Sequence, residues 1–135
     1  MARILIADDH EKVRRGIRKI LQTRPEWEIC GEAKDGREAI QLAKELDPDV
    51  IILDVSMPVL GGLCAADDIL RMNPETKILI LTVDESKTLR TLVQRCGARG
   101  LVVKSQASEL LVEALDRLLA GTTFFSPIDE MQPSS

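Results

Sequence analysis

Short apolar runs alternating with amphipathic stretches, from one end of the chain to the other, set the tightest limit on what it can fold into. The runs are Ile4–Ala7, a weaker one at Glu28–Ala33, Val50–Leu53, Ile78–Leu81 and Leu101–Val103. Strands this continuously apolar are buried on both faces, which is the mark of a parallel sheet covered by helices above and below. Helical spacing fills the intervals. Val13, Ile17, Ile20 and Leu21 share one face, and Ala39, Ile40, Ala43 and Leu46 share another behind a capping box of Asp35 and Glu38. A third helix is expected from Gly62 to Met72, ahead of Pro74. Leu89, Leu92, Val93 and Cys96 form a fourth stripe with Gly97 as its C-cap, and a leucine-rich fifth helix ends at Gly121. The pattern predicts a single doubly wound (βα)5 domain over residues 1–121, with 122–135 as a C-terminal tail or the start of an interdomain linker.

Composition narrows the function classes. A chain of 135 residues, 44% hydrophobic and 30% charged, suits one soluble domain with one sizeable core. No apolar stretch is long enough to span a bilayer, and the acidic start "MARILIADD" is unlike a secretory signal, so a cytoplasmic location is expected. A net charge of −4 and only three aromatic residues argue against a nucleic-acid surface. Cys30, Cys64 and Cys96 are too scattered for a disulfide or zinc framework and are expected to be buried thiols. With His10 as its one histidine, the chain offers little to serine–histidine or multi-histidine metal chemistry.

The polar exceptions fall at the strand ends. Asp8 and Asp9 follow the first strand, Asp54 the third, Thr82 the fourth and Lys104 the fifth. Open parallel sheets bind ligands beyond the carboxyl ends of their strands, so these residues are expected to converge. Three clustered carboxylates repel one another, and a divalent cation relieves that repulsion. An all-oxygen set with few protein ligands suits Mg²⁺. Lys104 adds a compact positive charge for a phosphoryl oxygen and Thr82 a hydroxyl. Together they suit phosphoryl transfer to a carboxylate, giving an aspartyl phosphate. One aspartate after one strand would need no more than its turn-forming habit as explanation; five ordered exceptions need more.

The segments "ILIADDH", "DVSMPVLGGL", "ILILT" and "GARGLVVK", in this order and spacing, make the chain resemble the receiver domain of bacterial two-component response regulators. "GARGLVVKS", the leucine-rich helix and "GTTFFSP" are most similar to receivers of the NarL/FixJ (LuxR-type) subgroup. The resemblance implies a CheY-like sheet of order 2-1-3-4-5. It implies Asp54 as phosphoacceptor from a sensor histidine kinase, a phosphotransfer protein or a small donor such as acetyl phosphate. Mg²⁺ would be held by Asp9, Asp54 and the backbone carbonyl of Ser56, with Asp8 acting mainly through water. Lys104 would neutralise a phosphoryl oxygen, and Thr82 would report phosphorylation to the face of helix 4, strand 5 and helix 5. Pro58, Gly61 and Gly62 would shape the loop after the phosphoacceptor.

The chain departs from that pattern at three positions. Leu101 stands where many relatives have an aromatic residue, Gly61 where many have Asn or Asp, and Val83 where many have a smaller side chain. His10 is expected to rim the site, and Arg14, Arg15, Arg18 and Lys19 to form a solvated face. An aspartate-nucleophile phosphohydrolase would need a second aspartate two residues after Asp54, where Ser56 stands. A nucleotide- or flavin-binding module would want a glycine-rich first loop in place of "ADDHEKVRRG". A degenerate receiver would have lost part of the set that is present here. The expectation is therefore a signalling receiver and not an enzyme in the ordinary sense, free-standing or part of a transcriptional regulator. It would use kinase and protein contacts, with homodimerisation through helix faces open, and bind neither membrane nor nucleic acid itself.

Overall fold

The structure is a computed structural model of the chain and describes residues 1–57, 60–83 and 86–126. Pro58, expected to shape the loop after Asp54, lies outside the described residues, as do 127–135 of the expected tail.

The elements follow the expected alternation. They are β1 (Ala2–Ala7), α1 (Glu11–Leu21), β2 (Trp27–Ala33), α2 (Gly36–Leu46), β3 (Val50–Asp54), α3 (Gly62–Met72), β4 (Lys77–Thr82), α4 (Lys87–Cys96), β5 (Gly100–Val103), a 3₁₀ turn (Lys104–Gln106), α5 (Ala107–Leu119) and β6 (Phe124–Phe125). All pairings are parallel, in the order β2-β1-β3-β4-β5-β6. This contains the expected 2-1-3-4-5 order and reverses direction between β1 and β3, which opens the crevice for a ligand.

Period-two alternation divides each strand between two cores. Leu5, Ala7, Ile51, Leu53, Ile78 and Ile80 face α2, α3 and α4, while Ile4, Ile6, Val50, Ile52, Leu79 and Leu81 face α1 and α5. Burial of each such side chain stabilises the fold by roughly 1.5–3 kcal/mol, which is why these runs tolerate no polar residue until the strand ends.

Helix ends follow from capping chemistry. The Asp35 side chain accepts from Glu38 N at 2.8 Å, and the Glu38 carboxylate accepts from Lys34 N at 2.8 Å, one residue before the reciprocal partner of an ordinary capping box. Ser86 caps α4 by accepting from Leu89 N, and Gly97 closes it at φ +96°.

A short strand lies past the expected boundary at residue 121 and adds to the expected five. Phe124–Phe125 pair with Gly100–Leu101 as this sixth strand. Ser126 N donates to the Leu101 carbonyl at 2.7 Å, and Val103 N donates to Ser126 Oγ at 3.2 Å. The Arg90 guanidinium lies 5.6 Å from the Phe125 ring centre and donates to the Ser126 carbonyl at 2.9 Å. Arg117 covers Phe124 at the same ring distance. The segment completes hydrogen bonds that the outer edge of β5 would otherwise leave to water. The thiols differ from expectation as well. Cys30 and Cys96 are half-buried, but Cys64 on α3 is exposed, because it lies off the Ala65–Ala66–Ile69 stripe that packs on the sheet.

Candidate functional site

Asp8 and Asp54 stand at the carboxyl ends of the adjacent strands β1 and β3, and both are buried, at 0% and 2% exposure. The Lys104 ammonium, at the end of β5, lies 2.9 Å from Asp8 Oδ2 and 3.2 Å from Asp54 Oδ1. One half-buried cation therefore bridges two buried anions. Thr82 ends β4 between them, fully buried, with Val103 as its register partner. Ser56 lies exposed in the turn after β3, and its N–H donates to Asp54 Oδ1 at 3.3 Å.

The loop beyond β1 adds the remaining polar groups. Asp9 is partly exposed, but its Oδ1 is buried and accepts no hydrogen bond. His10, 66% exposed, places Nδ1 3.2 Å from Asp9 Oδ1 and 3.4 Å from Asp8 Oδ1. One ligand atom from each of Asp8, Asp9 and His10 lies within 4.8 Å of the others. Asp54 is outside that set and joins it through Lys104. A buried oxygen with no donor beside a second buried carboxylate is the surroundings a small divalent cation relieves, so the residues fit such an ion.

The charges act on one another. Burial, then the nearby Asp8 charge, push the Asp54 carboxyl above its ordinary 3.8, and Lys104 and the Ser56 N–H only partly offset this. Burial pulls the Lys104 ammonium down, but hydrogen bonding and charge from Asp8 and Asp54 outweigh it, so its pKa is raised from 10.5. Lys104 is thus held protonated. Asp54 is left more basic than an ordinary carboxylate, which suits a nucleophile.

The loop after β3 depends on one glycine of its pair. A Cβ on Gly62 would meet the Asp54 carbonyl oxygen at 2.3 Å, whereas one on Gly61 would meet Val55 O at an ordinary 3.6 Å. Only Gly62 lets α3 begin against the backbone of the candidate nucleophile, and it also donates to Val55 O at 3.1 Å. Gly61, at φ −65°, occupies a conformation open to any residue, so the departure at that position has no backbone requirement behind it. Leu101, the other marked departure, is buried on the α4 side and has Phe125 as its register partner. Val83 is exposed.

Sequence reasoning missed Arg14, which was expected in solvent. Its Nη1 donates to the Asp8 carbonyl at 2.6 Å and its Nε to Glu32 at 2.9 Å, and Arg18 holds the same Glu32 carboxylate at 2.7 Å. Only Arg15 and Lys19 of that group are exposed. The signal was Glu32, a half-buried charge near the end of β2, which takes its partners from the helix packed beside it.

Comparison with known proteins agrees with this geometry. Residues 4–116 match the response regulator receiver domain family. The response regulator GacA of Pseudomonas aeruginosa is 37% identical over 127 residues, 94% of this chain and 59% of that protein. The oxygen regulatory protein NreC of Staphylococcus carnosus is 40% identical over 126 residues, 93% of this chain and 58% of that protein. The chain thus spans little more than half the length of these relatives. A LuxR-family two-component response regulator from Aurantimonas superposes with a TM-score of 0.90 at 35% identity, covering 94% of this chain and 91% of the other. The non-phosphorylated receiver domain of the stress response regulator RcsB from Escherichia coli gives 0.87 at 32%, covering 93% and 98%. The fold, the ordered polar residues at the strand ends and these matches agree: the chain belongs to the response regulator receiver domain family and has its CheY-like fold.

Proposed function

We propose that this chain is a phosphorylatable receiver that takes a phosphoryl group on Asp54 and passes the event to a protein-binding face. The observation that carries this reading is the Lys104 ammonium held between the buried carboxylates of Asp8 and Asp54. A carboxylate oxygen of Asp54 attacks phosphorus, the bond to the donor breaks, and the electron pair leaves with the donor nitrogen or oxygen. The donor is a phosphohistidine on a sensor kinase or phosphotransfer protein, or a small acyl phosphate. Lys104, already 3.2 Å from Asp54, is placed to follow the new negative charge onto a phosphoryl oxygen. Asp8, Asp9, Asp54 and the Ser56 carbonyl are the groups that would hold Mg²⁺, which when bound supplies further neutralisation of phosphoryl charge.

Thr82, buried at the end of β4, lies beside the Asp54 strand and pairs with Val103 of β5, so a hydrogen bond from its hydroxyl to the phosphoryl group would be felt toward α4, β5 and α5. The output is a change in partner affinity and not turnover of a substrate. The chain would act in the cytoplasm, free-standing or as the receiver part of a transcriptional regulator whose DNA contacts lie outside these residues. Homodimerisation through its helix faces is compatible with either. None of the described helices is long and apolar enough to cross a membrane.

Intact-mass spectrometry after incubation with Mg²⁺ and acetyl phosphate or phosphoramidate tests the reading. One phosphoryl adduct is expected in the wild type, and none in Asp54→Asn or with EDTA. An adduct that persists in a folded Asp54→Asn variant would move the acceptor elsewhere and sink the assignment.

A further inference from the structure

His10 occupies the N-cap position of α1, but its side chain makes no capping hydrogen bond. Its backbone is nevertheless well held. His10 N donates to Asp8 Oδ1 at 2.9 Å, and its carbonyl accepts from Val13 N and Arg14 N, each at 3.1 Å. A serine, threonine, aspartate or asparagine here would accept from a free helix N–H, and the histidine forgoes that bond. The imidazole instead turns Nδ1 toward Asp8 and Asp9, at 3.4 and 3.2 Å.

Those separations fall within the spacing of ligands on one ion. Adjacent ligands at about 2.0–2.2 Å from one first-row divalent ion stand roughly 2.9–3.5 Å apart in octahedral or tetrahedral geometry. Asp9 Oδ1 is buried and accepts no hydrogen bond, and His10 Nδ1 lies beside it at ion-pair distance. Magnesium gains little from an imidazole nitrogen. Zinc, nickel and copper gain much, following donor softness and the Irving–Williams order.

We propose that His10 Nδ1 is a third protein ligand in the Asp8–Asp9 pocket, one that makes the pocket favour zinc-class divalent ions over magnesium beyond what its carboxylates would confer. The proposal rests on reading the acidic pocket as a cation site. Its consequence is a metal-sensitive receiver, in which a zinc-class ion competes with Mg²⁺ at the mouth of the phosphorylation site.

Because His10 is the one histidine in the chain, a tag-free sample has a single imidazole to observe. The test follows its two ring nitrogens by long-range ¹H–¹⁵N NMR during titration with Zn²⁺ and, separately, Mg²⁺. It is made in a Cys64→Ser background, which removes the exposed thiol as a rival ligand. Calorimetry on the same samples gives both affinities. Zn²⁺ is expected to shift Nδ1 strongly at one equivalent. His10→Ala is expected to lose at least about tenfold in Zn²⁺ affinity and less than about threefold for Mg²⁺. Zn²⁺ bound with Nδ1 unmoved, or equal losses for the two ions, would overturn the role of His10 and leave the acidic pocket standing. Wild type that binds neither ion would overturn the pocket and this proposal together.

Discussion

Two regions meet at β5 and could hardly be more differently encoded. At its carboxyl end, Lys104 lies between Asp8 and Asp54, each the polar stop on an apolar run. Along its outer edge, Phe124–Ser126 supply a short strand held by Leu101, Val103 and Arg90. The first region is rigid apolar scaffold ending in charge, and each charge is visible against its own run. The second is three residues of no periodicity whose partners lie 23 to 36 positions away. The two are joined through Val103, which pairs with Thr82 on one side and hydrogen-bonds Ser126 Oγ on the other. Strand pairing and one hydrogen bond thus connect Thr82 to Ser126 through Val103.

The sharpest way to break this contrast is to remove the bridging charge. Lys104→Ala leaves two buried carboxylates uncompensated and should cost about 3 kcal/mol in metal-free denaturant unfolding. Added Mg²⁺ should restore more stability to this variant than to the wild type, because the ion then replaces the missing countercharge. A variant as stable as wild type without metal would show that the ammonium is not what holds the pair together.

Gly62→Ala should follow at about 2 kcal/mol, since its methyl group must displace the Asp54 backbone, while Gly61→Ala should stay within about 0.5 kcal/mol. Equal losses would mean that loop flexibility, not close approach, decides the pair. On the other flank, Ser126→Ala strands the buried Val103 N–H and should cost about 1 kcal/mol. Hydrogen exchange should show Val103 losing protection, and unchanged protection would show that β6 does not depend on this bond.

The smallest effect has the opposite sign. The Asp54 pKa is raised in the fold, so the folded protein holds that proton more tightly than the unfolded chain. The associated stability is present below the ordinary 3.8 and is lost as pH rises through the folded value. At neutral pH the ionised side chain is therefore a cost. Asp54→Asn should be more stable than wild type at neutral pH, and the gap should close as acid protonates Asp54. A variant less stable than wild type at neutral pH would show that the carboxylate helps hold the fold.

Much of this molecule is legible before folding, because the deciding chemistry is local. An apolar run says strand, and a polar residue that ends it says edge. A capping aspartate or a terminal glycine says where a helix stops, as Asp35 and Gly97 do. Parallel α/β topology then brings Asp8, Asp54, Thr82 and Lys104 together without further instruction, because all carboxyl ends lie on one side. Other features need coordinates. Arg14 reads as a surface charge until α1 packs beside β2 and turns it onto Glu32 and the Asp8 carbonyl. His10 reads as a rim residue until the helix start aims its nitrogen at two carboxylates.

What the sequence determined by itself was the alternation, the two-sided burial of the strands and the identity of the polar edge. These follow from hydrophobic period and turn chemistry acting over a few residues. What only the tertiary structure decided was how far the sheet extends and which charged side chains stand against one another. β6 exists because the edge of β5 has unpaired groups and Arg90 and Arg117 offer faces for two aromatic rings. The strand pairing and the Arg90 contacts join residues far apart in the chain, and no short window of sequence contains both partners.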